Sequence, residues 1–160
     1  MIKIRRNVFE TNSSSTHSIC ITKTNNLIAI PEKVVFKLAY FGWEEEIYSD
    51  TEHKASYLYS AIKEIEKYDD KEKARKWLNF IGETLLKNNV DYEFVDDEKF
   101  YGIDHVYDLM EFIEAVCHSE KRLLRYLFSV ESFVITGNDN SDSCVGICEP
   151  YRHEEYYKGN

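Results

Sequence analysis

The chain has little of what breaks or staples a fold: two prolines, six glycines and four cysteines in 160 residues. No flexible linker and no internal repeat divides it, so residues 1–160 form a single domain of ordinary length. No apolar run approaches the ~20 residues that a membrane helix needs. The opening MIKIRRNVFETNSSS carries basic residues but lacks the apolar centre of a secretory signal. A soluble, cytoplasmic domain is expected. In a reducing cytosol Cys20, Cys117, Cys144 and Cys148 are then expected to stay thiols.

Positive charge is also scarce. Twenty Lys and Arg stand against 29 Asp and Glu, for a net charge of −9. Affinity for nucleic acid draws mostly on basic side chains that neutralise phosphates. With no basic stripe, direct nucleic-acid binding is not expected. What is abundant is apolar material, 43% of the chain with 14% aromatic, which excludes a disordered polymer. The acidity either keeps a small domain soluble or meets a basic partner, such as a protein that handles nucleic acid.

The patterning reads as α+β. Ile2 to Phe9 and His17 to Thr22 are rich in β-branched and aromatic residues and flank a polar run, the mark of an N-terminal β-hairpin. Leu27 to Ile30 and Val34 to Leu38 read as further strands, with Pro31 in the break between them. Asp50 or Thr51 caps a helix carrying Ala55, Leu58, Ile62 and Ile65. Asp70 caps a second helix, with Ala74, Trp77, Leu78, Ile81 and Leu85, that ends at Asn88-Asn89. Tyr92 to Val95 is a short strand. Asp104 then caps a third helix and Ser119 begins a fourth. Glu131 to Thr136 reads as a strand closed by a turn over Gly137-Asn138-Asp139-Asn140, and Cys144 to Cys148 as another. Three to four central helices and a mostly antiparallel sheet are the expected architecture.

The segment from Arg5 to Ser18 stands out. Thr11, Asn12, Ser13, Ser14 and Ser15 crowd together, with Arg5 and Arg6 upstream and His17 downstream. Short polar side chains and backbone N–H groups in a tight loop can form an anion-binding nest. Arg5 or Arg6 can add bidentate contacts to phosphate or carboxylate. Imidazole is the side chain whose proton exchange falls near neutral pH, which makes His17 the candidate acid or base. Ser, Thr and Asn also satisfy their own backbone in turns, with no ligand at all.

The run Val8-Phe9-Glu10-Thr11-Asn12-Ser13-Ser14-Ser15-Thr16-His17-Ser18 behind Arg5 or Arg6 resembles the start of a family of small proteins of phages, mobile elements and Gram-positive bacteria. Phe41-Gly42-Trp43-Glu44-Glu45 and Thr136-Gly137-Asn138-Asp139-Asn140 are similar to later blocks of that family. The resemblance implies a phage-type origin and a bacterial host cell. It brings no reaction with it. Arg6, Ser14-Ser15-Thr16 and Glu44 or Glu46 share the order of an ADP-ribosyltransferase motif, but the first two elements lie too close together for that fold.

Two further clusters carry chemistry. Asp139 and Asp142 fall in an Asx-rich turn, and Asp139 would orient His17 if the turn shares a face with the serine loop. Cys144 and Cys148, with His153, are weaker zinc candidates. On a strand their sulfurs sit two pleats apart, too far for easy chelation. Cys20 and Cys117 read as small core residues, and His53 as a surface histidine. No cofactor fingerprint such as a P-loop is present. Two functions follow: binding of a phosphorylated small molecule or nucleotide at the loop, or inhibition of a host protein, as in counter-defence (anti-CRISPR) or host takeover. Whether the chain is an enzyme stays open at this stage.

Overall fold

Asp50, Asp70 and Ser119 each start a helix for the same reason. Their short side-chain oxygens accept a backbone N–H that a first helical turn leaves without a partner. The computed structural model describes residues 15–27, 30–42, 44, 46–68, 70–97, 101–104, 109–138 and 156–158. Asp50 accepts from the His53 N–H at 3.0 Å, Asp70 from Lys73 at 2.9 Å and Ser119 from Arg122 at 3.3 Å. The helices are α1 (Thr51–Tyr68), α2 (Lys71–Lys87), α3 (Leu109–Val116) and α4 (Glu120–Phe128). The α2 helix closes at Asn88-Asn89, where Asn89 takes a left-handed φ of 58°.

The strands are β1 (Ser15–Ile21), β2 (Lys33–Lys37), β3 (Tyr40–Phe41), β4 (Glu46–Tyr48), β5 (Asp91–Val95), β6 (Gly102–Ile103), β7 (Phe133–Asn138) and β8 (Tyr156–Lys158). Four form one antiparallel sheet in the order β4-β7-β1-β8. The fold is α+β, with four helices among the described residues and a mostly antiparallel sheet. Strand β1 therefore has β7 on one side, along Ser15 to Cys20, and β8 on the other, along Ile19 to Ile21. Both of its faces are covered, and every residue from His17 to Ile21 is buried.

Helix α1 is the hub and packs against β2, β6, α2, α3 and α4. An all-round burial follows, from Lys54 through Ile62, rather than a single apolar stripe. Lys54 lies fully inside. Its Nζ donates to the carbonyls of Ser129 at 2.6 Å and Ser132 at 3.0 Å, while the Tyr126 hydroxyl donates to the Lys54 carbonyl at 3.0 Å. Burial pulls the ammonium down to about 8, against the opposing charge of Asp50. The unfolded chain holds this proton up to 10.5, so it binds more protons than the native state between those values. Stability should accordingly rise from pH 8 toward pH 10, as urea midpoints would show. Above 10 the buried phenols of Tyr57 and Tyr126, raised by burial, turn the slope around.

Some expectations need correction. Gly137 and Asn138 do not turn. They extend β7 because Thr16 and Ser15 continue the ladder opposite them, and pairing overrides a local turn preference. Leu27 and Ile30 belong to no strand: the Leu27 N–H bonds back to the Asn25 carbonyl at 2.8 Å, and Ile30 is exposed. Two parallel pairs, β2 with β5 and β3 with β6, were not anticipated. The third helix is described from Leu109. Cys20 is buried and Cys117 half-buried, its thiol pushed up to about 12 by desolvation. The expected strands at residues 2–9 and 144–148 lie outside the described residues.

Candidate functional site

The β1 ladder places His17 opposite Thr136, two residues inside the start of the strand. Alternation puts its side chain on the same face as Ile19 and Ile21, and that face is core. The imidazole is 2% exposed. Its Nε2 lies 3.0 Å from the Gly42 carbonyl and its Nδ1 lies 2.9 Å from the Tyr57 hydroxyl. A carbonyl can only accept, so Nε2 carries the proton. Nδ1 is then the acceptor, and the Tyr57 hydroxyl donates to it. Both ring nitrogens are satisfied by one neutral tautomer.

The electrostatics agree with that assignment. Burial lowers the His17 pKa from 6.5 to about 4, although the Gly42 bond and the charge of Asp104 pull the other way. At neutral pH the ring holds no second proton to exchange. Tyr57 is fully buried between Phe41 and Phe112, with ring centroids at 4.9 and 5.4 Å. This pair bridges the sheet to α1. With both ring nitrogens engaged inside the fold, the pair clamps the strand to the helix; the expected partner Asp139 lies outside the described residues.

The far end of β1 is held as well. The Thr22 N–H donates to the Ser132 hydroxyl at 3.0 Å, and the Thr22 hydroxyl donates to the Glu131 carboxylate at 3.0 Å. The Thr24 hydroxyl donates to the same carboxylate. Both bonds keep the Glu131 carboxyl below its ordinary value, with Thr24 the larger influence. The strand is pinned front and back.

Of the other candidates, Ser15 is described as backbone only, at the head of β1 and in register with Asn138 at the tail of β7. Chain entry into β1 and chain exit from β7 therefore fall at one end of the sheet. Arg5, Arg6, Thr11, Asn12, Ser13, Ser14 and Asp139 lie outside the described residues, as do Cys144, Cys148 and His153. Among the described residues no group of three His, Cys, Asp or Glu side chains could hold a metal ion, and no helix is long and apolar enough to cross a membrane.

Sequence reasoning missed the partners. Tyr57 shares α1 spacing with Ala61 and Ile65, a signal that it faces inward. The alternation of His17 with Ile19 and Ile21 was equally readable. Gly42 gave no signal, because its contribution is a backbone carbonyl. Comparison of the chain with family models, with curated proteins and with solved structures finds no match.

Proposed function

We propose that this phage-type protein is a binding protein. Its Arg5–Ser15 segment, with Asp139, takes a phosphorylated small molecule or nucleotide, and His17 positions that segment rather than exchanging protons with the ligand. The observation that carries this reading is the register of Ser15 with Asn138. Ser15 opens β1 beside Asn138, which closes β7, so the residues that adjoin each in the chain start from the same end of this strand pair, which supports reading them together. Arg5 and Arg6 supply the charge-assisted contacts, backbone N–H groups and hydroxyls the nest, and Asp139 an acceptor for a ligand hydroxyl.

Thermal denaturation with inorganic phosphate, ADP and ATP tests it. Ligand at 100 times its dissociation constant should add about 2.7 kcal/mol. An Arg5→Ala/Arg6→Ala double variant should abolish that shift, whereas His17→Gln, which keeps a donor for Gly42, should preserve much of it. The absence of any shift with all three compounds would sink the reading.

One observation favours a second reading, an acidic inhibitor of a host nucleic-acid-handling protein in counter-defence or host takeover. Glu44, Glu46 and Glu52 are exposed alongside Tyr40 and Ile47, which are 46% and 54% exposed. An exposed tyrosine and isoleucine amid like-signed charge suit an electrostatically steered contact. Co-purification from host lysate at low salt, with no stoichiometric partner recovered, would count against it.

A further inference from the structure

A cleft of about 450 Å³ opens between the β2–β3 connection, β4 and the first turns of α1. That volume suits a small ligand. Its aromatic walls are Tyr40, Phe41 and Tyr48, and Glu46, Glu52 and His53 line it as well. Tyr48 is braced from both sides. Its ring meets Phe41 edge-on at 5.4 Å and stacks on His53 at 5.1 Å, with 21° between the planes. His53 is fixed in turn, because Nδ1 lies 2.8 and 2.9 Å from the two Asp50 oxygens. A carboxylate only accepts, so Nδ1 donates, and in the neutral ring Nε2 is left as an acceptor.

The charge around this frame is lopsided. Among the described residues Lys37 is the single Lys or Arg lining the cleft, and it is shared with Glu52 at 3.2 Å in an exposed pair that a competing cation can displace. Among the described residues no cation pairs with Glu46. The N-terminus of α1 would by itself favour an anion, but the capping Asp50 and Glu52 in the first turn offset that. The Tyr40 and Tyr48 phenols are held above their ordinary value by burial and then by neighbouring carboxylates: Asp104 and Glu44 for Tyr40, Glu46 and Glu44 for Tyr48, where hydrogen bonding with Thr136 works the other way.

From the cavity, its braced aromatic walls and its carboxylates together, we infer that this cleft binds an ammonium or guanidinium group on an alkyl stem. The rings pack on the stem and attract the cationic head, Glu46 and Glu52 pair with the head, and His53 offers a further acceptor. The inference goes beyond the anion-binding reading and does not rest on it, since no residue is shared between the two sites.

Amide NMR titrations with cadaverine, agmatine and doubly capped arginine and lysine provide the test. Saturable shifts confined to residues 37–42, 46–48 and 52–56 are expected. A Glu46→Gln/Glu52→Gln double variant should weaken binding about fivefold, as two exposed charge contacts imply, while Glu72→Gln on α2 should leave it unchanged. Preference for the capped residues would mark a basic side chain of a protein as the source, and preference for the free amines a metabolite. The spectrum of each variant reports its own folding. No saturable shift with any of the four compounds, or equal affinity in the double variant, overturns the inference.

Discussion

Between pH 6.5 and pH 4 the protein should lose on the order of 3 kcal/mol of stability through His17 alone. The unfolded ring takes its proton at 6.5, whereas the folded ring resists it until about 4. In that interval the unfolded state binds more protons, so acid favours unfolding. The contribution is complete above 6.5, declines as the pH falls through the window and is gone below about 4. The cause is burial, which strips solvent from the charged ring and outweighs the Gly42 bond and the charge of Asp104. Urea midpoints at pH 7, 5.5 and 4 measure the loss, and His17→Gln should flatten much of the profile. Asp50, kept below its ordinary value because bonds from His53 outweigh the effect of its burial, loses its contribution at lower pH, so the two losses separate. A wild-type profile that stays level from 6.5 to 4 would show that the ring is not held neutral by the fold.

The second large effect comes from the other half of the clamp. Tyr57→Ala should destabilise by about 3–5 kcal/mol, the range for emptying a buried aromatic site, because the ring fills the space between Phe41 and Phe112. Tyr57→Phe keeps that packing and removes only the hydroxyl. It leaves His17 Nδ1 buried without a donor, which costs about 1–3 kcal/mol. Chemical denaturation of the two variants divides the clamp into packing and hydrogen bond. A Phe variant as stable as the parent would show that the bond contributes nothing and that His17 is held by shape alone.

Local rules fixed a good part of this architecture. Asp50, Asp70 and Ser119 were legible as helix starts because a cap is a property of one side chain and the turn that follows it. Val34 to Leu38 was legible as a strand from its β-branched and aromatic residues, and the strand observed, Lys33–Lys37, is shifted by one position. What escaped is non-local. Two parallel ladders join strands separated by two helices, and nothing within either strand encodes the partner. Gly137 and Asn138 carry turn chemistry and yet extend β7, since the pairing strand decides. Lys54 is the clearest miss. The helix face is read from Ala55, Leu58, Ile62 and Ile65, and a charged side chain beside them gives no sign of burial until the carbonyls of Ser129 and Ser132 are seen around it.

The candidate site divides in the same way. Arg5, Arg6 and the hydroxyl-rich residues were picked out by composition. The character of His17 depends on Tyr57, 40 positions away, and on a backbone oxygen 25 positions away, and so needed the fold. The cleft beside Tyr48 needed it even more. Asp50 read as a cap and His53 as a surface histidine. Only the stacking of His53 on Tyr48, with Asp50 holding the ring, joins them to one wall.

The most direct measurement is a nitrogen-15 NMR titration of the His17 ring, with and without ADP. A neutral ring with its proton on Nε2, unchanged from pH 8 down to pH 5 in both samples, is the expected result. A ring that titrates near 6.5, or one whose proton moves to Nδ1 when ADP binds, would return His17 to acid–base duty and contradict the account of it as a clamp.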